Sequence, residues 1–187
     1  MIDYGRTMFD RWSEYFFMIG SSAAALIGLM FVVVTLTAGR ERSELEPGKK
    51  LYTTPIVWHL GVVLVLSGVA ELPPITPRLF GIACGLAALI GIVAGIRITA
   101  GIAREQLARN HTQYDAFWYG AVPVVVYLAL GASAAGLFLD KEGAMTAAAL
   151  SIMALLLVSI HNEWDLVTFL APAALPPGSG QGKNSSS

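Results

Sequence analysis

The chain has 187 residues, of which 55% are hydrophobic and 13% charged, and its mean hydropathy is +0.63. An average soluble domain carries about 25% charged residues, so a water-soluble fold is excluded, and the short connections between apolar segments leave no room for a second, catalytic domain. Its 12 basic and 13 acidic residues are scattered with no basic run, which argues against nucleic acid as a partner, and Cys84, the one cysteine, can form neither an intrachain disulfide nor a clustered thiolate metal site.

In chain order, the leader 1–15 places Met8, Phe9, Trp12 and Phe16 at helical spacing, with Arg6, Asp10 and Glu14 elsewhere around the wheel, and is expected to lie as an interfacial helix. Asp3, Asp10 and Glu14 are unlike the basic start of a signal peptide, and the apolar run that follows is too long for one, so it is read as a retained span. A membrane-crossing helix needs about 20 mostly apolar residues. Five segments qualify: 16–38, 53–72, 79–99, 116–139 and 143–161 or beyond. Strands are ruled out because the runs are long, rich in Ala and Leu, and do not alternate. Backbone amides in hydrocarbon must find partners within their own segment, which a helix provides. The expected fold is therefore all-α, a membrane bundle of about five helices occupying 16–171. The tail 172–187, with its Pro, Gly, Gln, Asn and Ser, is expected to be disordered.

Basic residues orient the bundle. Arg40, Arg42, Lys49 and Lys50 follow the first span, and Arg97, Arg104 and Arg109 follow the third, all on one side; Arg6, Arg11, Arg78 and Lys141 are fewer and lie opposite. This predicts an outside N-terminus and a cytoplasmic C-terminus. Asn110 and Asn184 open N-x-S/T triplets, but neither falls in a convincing lumenal loop. No inverted repeat is found.

Small residues recur every fourth position: Gly20, Ala24 and Gly28; Gly81 with Gly85, and Gly91 with Gly95; Gly131 with Ala135. Such strips let helix backbones approach closely where lipid supplies no hydrophobic drive. They serve packing within the bundle or association of copies, and the third helix is the expected oligomer face. Pro123, within the second turn or so of the fourth span, cannot donate to the Tyr119 carbonyl. A static bend or a hinge follows.

The polar run His161, Asn162, Glu163, Trp164 and Asp165 closes the fifth span, and ionisable groups at membrane depth are functional suspects. His161 and Asp165 share a face, and Trp164 fits an interfacial belt. His59 lies about 9 Å inside the cytoplasmic boundary near Thr53. With Arg97 these residues are expected to form a cluster at the cytoplasmic mouth, joined at similar depth by Thr35, Thr37 and Asp115. The cluster has three readings: a capping network in which Arg97 pairs with a carboxylate, a proton or ion pathway, or a metal or haem between His59 and His161. Glu71, before Pro73 and Pro74, reads as an interface carboxylate. No nucleophile elbow, Walker loop, dinucleotide fingerprint or zinc-protease helix occurs, so neither enzymatic activity nor a cofactor is expected.

The stretches SSAAALIGLMFVVVTL (21–36) and IHNEWDLVTFLA (160–171) resemble segments of small multi-helix bacterial inner-membrane proteins of unassigned function. That resemblance implies a bacterial inner membrane and brings no activity or catalytic residue. The reading reached from the residues is a small homo-oligomeric protein that conducts or transports an ion or small solute. An accessory or scaffold subunit of a membrane complex and a haem- or metal-binding redox component are the alternatives. The lipid bilayer and a further copy or membrane-protein partner are the expected contacts.

Overall fold

The computed structural model describes residues 4–37, 46–109 and 117–170, with side chains over 9–35, 55–100 and 117–168. Among these residues the structure is wholly helical: α1 (Tyr4–Thr37), α2 (Glu46–Ala70), α3 (Pro77–Arg109), a π-helical turn (Phe117–Ala121), α4 (Val122–Phe138) and α5 (Ala144–Leu170). Four stretches are long and apolar enough to cross a membrane, Phe9–Thr35, Pro77–Ala100, Phe117–Phe138 and Ala144–Thr168. The described apolar part of α2, Pro55–Ala70, is shorter. The expected tail 172–187, Asp115, the Thr37 side chain and both N-x-S/T triplets lie outside the described residues.

The leader is continuous with the first span: α1 runs unbroken for 34 residues, about 51 Å at the α-helical rise. From Phe9 onward its side chains pack on the rest of the bundle. Phe9 and Phe16 each meet the Phe80 ring edge-on at 5.6 Å, and the Tyr15 hydroxyl donates to the Ala149 carbonyl at 2.8 Å. Ser13 donates to Glu71 at 2.8 Å, which levels this part of α1 with the end of α2.

Local sequence explains the connections. Thr76 caps α3, its hydroxyl accepting the Leu79 amide at 3.2 Å, and Pro77 occupies the first helical position, where its missing N–H costs nothing. α4 ends in a Schellman arrangement, with Asp140 at φ 49° and the Lys141 amide donating to the Gly136 carbonyl at 2.9 Å. Arg78 and Asp140 approach to 3.5 Å with side chains 69% and 68% exposed. An exposed pair of this kind contributes little, and Arg78→Ala should shift stability by less than about 1 kcal/mol in a detergent melt.

α2 packs against α1, α3 and α5, while α4 packs against α3 and α5. Facing pairs give antiparallel registers: Gly20 with Ser67 between α1 and α2, and Gly81 with Leu137 and Gly95 with Val124 between α3 and α4. One end of the bundle therefore carries Ser13, Glu71, Arg78 and Asp140. The other carries Arg97, Trp118 and Asn162, and is here called the mouth.

Gly81, Gly85, Gly91 and Gly95 of α3 turn toward α4. A Cβ at Gly81 would stand 3.3 Å from the Ala134 carbonyl oxygen, one at Gly85 would touch Ala134, one at Gly91 would overlap the Tyr127 ring, and one at Gly95 would meet Val124. The face expected to join copies is thus occupied within the chain. Gly131 faces Ala88. In α1 the buried stripe passes through Phe16, Ile19, Ala23 and Met30, so Gly20 packs on Ser67 while Ala24 and Gly28 lie exposed beside it. Ala135 is likewise exposed.

Candidate functional site

The buried histidine, asparagine and glutamate side chains lie at two depths. At the mouth, the π-helical turn immediately precedes Pro123, whose missing amide donor interrupts the α-helical ladder there. The turn sets two aromatic residues against α5. Trp118 stacks on His161 with ring centroids 4.1 Å apart. The Tyr119 hydroxyl donates to the Asn162 carbonyl at 3.1 Å, and the Asn162 side-chain amide donates back to the Trp118 carbonyl at 3.4 Å. These two bonds latch α4 to α5.

His161 Nε2 lies 3.7 Å from the Asp165 carboxylate, an ion-pair separation too long for a hydrogen bond. Both side chains are about one-third exposed, at 34% and 38%. Glu163 differs sharply: it is 5% exposed, and neither carboxylate oxygen has a hydrogen-bond partner among the described residues. Beside it, fully buried Asn162 has an unpartnered Oδ1. Trp164 projects outward at 69% exposure, as an interfacial tryptophan does.

Deeper in the bundle, His59 of α2 shares a 2.8 Å hydrogen bond between Nδ1 and the Tyr127 hydroxyl of α4. Both residues are buried, and His59 Nε2 has no partner among the described residues. Tyr127 is eight residues beyond Tyr119 along the same column, about 12 Å of helical rise. The two histidines therefore occupy different levels with different partners, and His59 stands apart from the cluster expected at the mouth. Among the described residues no three His, Cys, Asp or Glu side chains converge as metal ligands.

Arg97 departs from expectation in another way. It lies two residues past Gly95, which faces α4, and a two-residue step turns a helix by about 200°. The guanidinium is consequently on the exposed face of α3 and makes no ion pair with a described carboxylate. Thr35 is also exposed, its hydroxyl bonded to the Val32 carbonyl in its own helix.

Sequence reasoning missed Trp118, Tyr119 and Tyr127 as site residues. Tyr127 left a usable signal, since a phenol within the otherwise apolar stretch VPVVVYLAL needs a partner when buried.

A second feature opens sideways. α1 and α3 form the walls, and α2 the floor, of an apolar groove of about 900 Å³, lined by Phe31, Trp58, Gly61, Val65, Leu86 and Ile90 among others.

Together these elements define a helical bundle of membrane-protein type with buried polar groups at one mouth. No protein-family model, no curated protein and no solved structure matches the chain.

Proposed function

We propose that the chain crosses the bilayer five times, with α2 as the fifth span, and takes up a proton or small cation at the mouth as part of an ion-conducting or transporting activity. The observation that carries this reading is Glu163, a buried carboxyl group whose two oxygens have no donor among the described residues. A carboxylate held there without a counter-charge is costly, so the site favours uptake of a compensating proton or cation. His161 and Asp165, less buried, stand beside it as the entry, with Asn162 Oδ1 as a further oxygen. The basic loops place the mouth and the C-terminus in the cytoplasm, with the N-terminus outside. The resemblance of 21–36 and 160–171 favours a bacterial inner membrane. A homo-oligomer fits this reading, because Leu60, Leu130, Ile152 and Leu155 fill the interior of one chain and a wider passage would form between copies.

Proteoliposomes carrying a pH-sensitive dye, with imposed proton or sodium gradients, test the proposal. Wild-type protein should dissipate one gradient, and Glu163→Gln, which keeps the shape but removes the charge, should reduce that flux roughly tenfold or more. Equal flux in both proteins would remove Glu163 from the function, and no flux in either would remove the transport class.

The open groove between α1 and α3 favours a second reading, a non-catalytic accessory or scaffold subunit that receives an apolar helix from another membrane protein. It is distinguished by a partner that stays bound on gentle purification and by silent proteoliposomes. The third alternative, a haem or metal bridging two histidines, is disfavoured by their separate levels.

A further inference from the structure

Every buried side-chain nitrogen or oxygen without a partner among the described residues sits on α2 or α5, the two helices that pack together through the centre of the bundle. Three residues in that region line up by depth. Glu163 is at the mouth. Ser159, one turn deeper on the same face of α5, is fully buried and uses its hydroxyl hydrogen on the Leu155 carbonyl at 2.8 Å, which leaves its oxygen free to accept. His59 lies deeper again, at the level of Tyr127, with Nε2 facing no described donor or acceptor.

The chemistry of the ring sharpens the point. If the Tyr127 hydroxyl donates to Nδ1, then Nε2 carries the ring proton and lacks an acceptor. If Nδ1–H donates to Tyr127, then Nε2 is a bare lone pair and lacks a donor. Neither tautomer satisfies the ring within the protein, whereas a water molecule, both donor and acceptor, satisfies either.

We propose that internal water runs from the Glu163 mouth past Ser159 to His59 Nε2, making this imidazole a proton-exchanging station about 12 Å inside the bundle. The inference rests on the proposed function for the identity of the ion as a proton. In the exchange a hydrated proton gives up its bond to water oxygen and forms one to Nε2; the ring gains the charge, and Nδ1–H stays bonded to the Tyr127 oxygen. The return step reverses this. Among the described residues the other titratable groups near the path are Tyr127 from α4 and, toward the mouth, Tyr119 of the π-helical turn and His161, Glu163 and Asp165 of α5. From α3 the residue that meets Tyr127 is Gly91, and Arg97 points away. Between His59 and the next unpartnered atom, Ser67 Oγ two turns further along α2, Val63, Leu66 and Ile152 are buried and apolar, so the wet path ends at the imidazole.

Nuclear magnetic resonance of the full chain in lipid nanodiscs, labelled with 15N in its three histidines, reads this directly. The His59 ring signals are identified by their loss in His59→Gln. The expected result is magnetisation transfer between water and the His59 ring, and slowing of that exchange by roughly tenfold or more in Ser159→Leu, which puts an apolar step in the path. Ser133→Ala, away from the path on α4, should leave it unchanged. Ser159→Val, closer in size to serine, carries the same expectation if the leucine variant does not fold. A His59 ring with no water transfer in the wild-type protein overturns the proposal, as does exchange indifferent to both Ser159 variants. These readouts need no gradient. A wet His59 in a protein with silent proteoliposomes would defeat the transport function and keep the water path, while a dry His59 in a conducting protein would do the reverse.

Discussion

Gly91→Ala should lower the thermal stability of the purified protein by about 1–3 kcal/mol, the usual cost of forcing an extra carbon into a packed core, while Gly28→Ala should stay within about 0.5 kcal/mol. The contrast is informative because both glycines belong to strips that look alike in the sequence. A Cβ on Gly91 would overlap the ring of Tyr127, which is fully buried and cannot swing away, whereas a Cβ on Gly28 meets nothing within 4 Å. The damage at Gly91 should extend beyond lost packing. Displacing the Tyr127 ring also separates its hydroxyl from His59 Nδ1, now 2.8 Å away. Melting curves of the two variants in the same detergent provide the test. Equal midpoints would mean that α3 and α4 are not in contact at this point, and the described register would be wrong.

The second large effect concerns the His59–Tyr127 pair itself. Tyr127→Phe should destabilise the protein by about 1–3 kcal/mol, because it leaves a buried ring nitrogen without its partner while saving almost no volume. Adding His59→Leu to that variant should recover part of the loss. Once both polar groups are gone, the pair itself leaves no unsatisfied atom, although the Trp58 indole N–H also loses its bond to the Tyr127 hydroxyl, and removing both partners of a buried bond is commonly close to neutral. The double-mutant cycle, read from melting midpoints of the two single variants, the double variant and the parent, isolates the coupling. Additive effects would show that the two side chains do not share their bond in the membrane. A double variant that is stable but does not conduct would separate the pair's role in packing from its role in proton movement.

The candidate site divides along a physical line between what neighbouring residues specify and what distant ones do. The run from His161 to Asp165 could be singled out from its chemistry, since ionisable groups beside an apolar stretch are rare and expensive. That His161 and Asp165 face one another follows from their spacing of four on a helix. Their surroundings did not follow. Trp118 and Tyr119 reach α5 from 43 or more residues away in the chain, and they do so because a π-helical turn before Pro123 re-aims them. Pro123 marked the place of the irregularity but not the side chains it would redirect.

The sequence by itself determined that the chain is helical and apolar over membrane-length stretches, because hydrocarbon offers backbone amides no partner outside their own helix. It also determined where several helices begin and end, through Thr76 and Pro77 at the start of α3 and the turn from Asp140 to Gly143 after α4. Only the tertiary structure decided which face of each helix turns inward. A soluble helix announces its inner face by setting apolar residues against polar ones. In α3, Leu86 and Ile90 face outward while Phe80 and Ala88 face the core, and nothing in their hydrophobicity separates them. Lipid is as apolar as the bundle interior, so inward faces are chosen by close fit, as where Gly91 makes room for Tyr127. The same fit turned Arg97 outward, placed His59 on Tyr127 rather than with His161, and left Glu163 buried with no donor among the described residues.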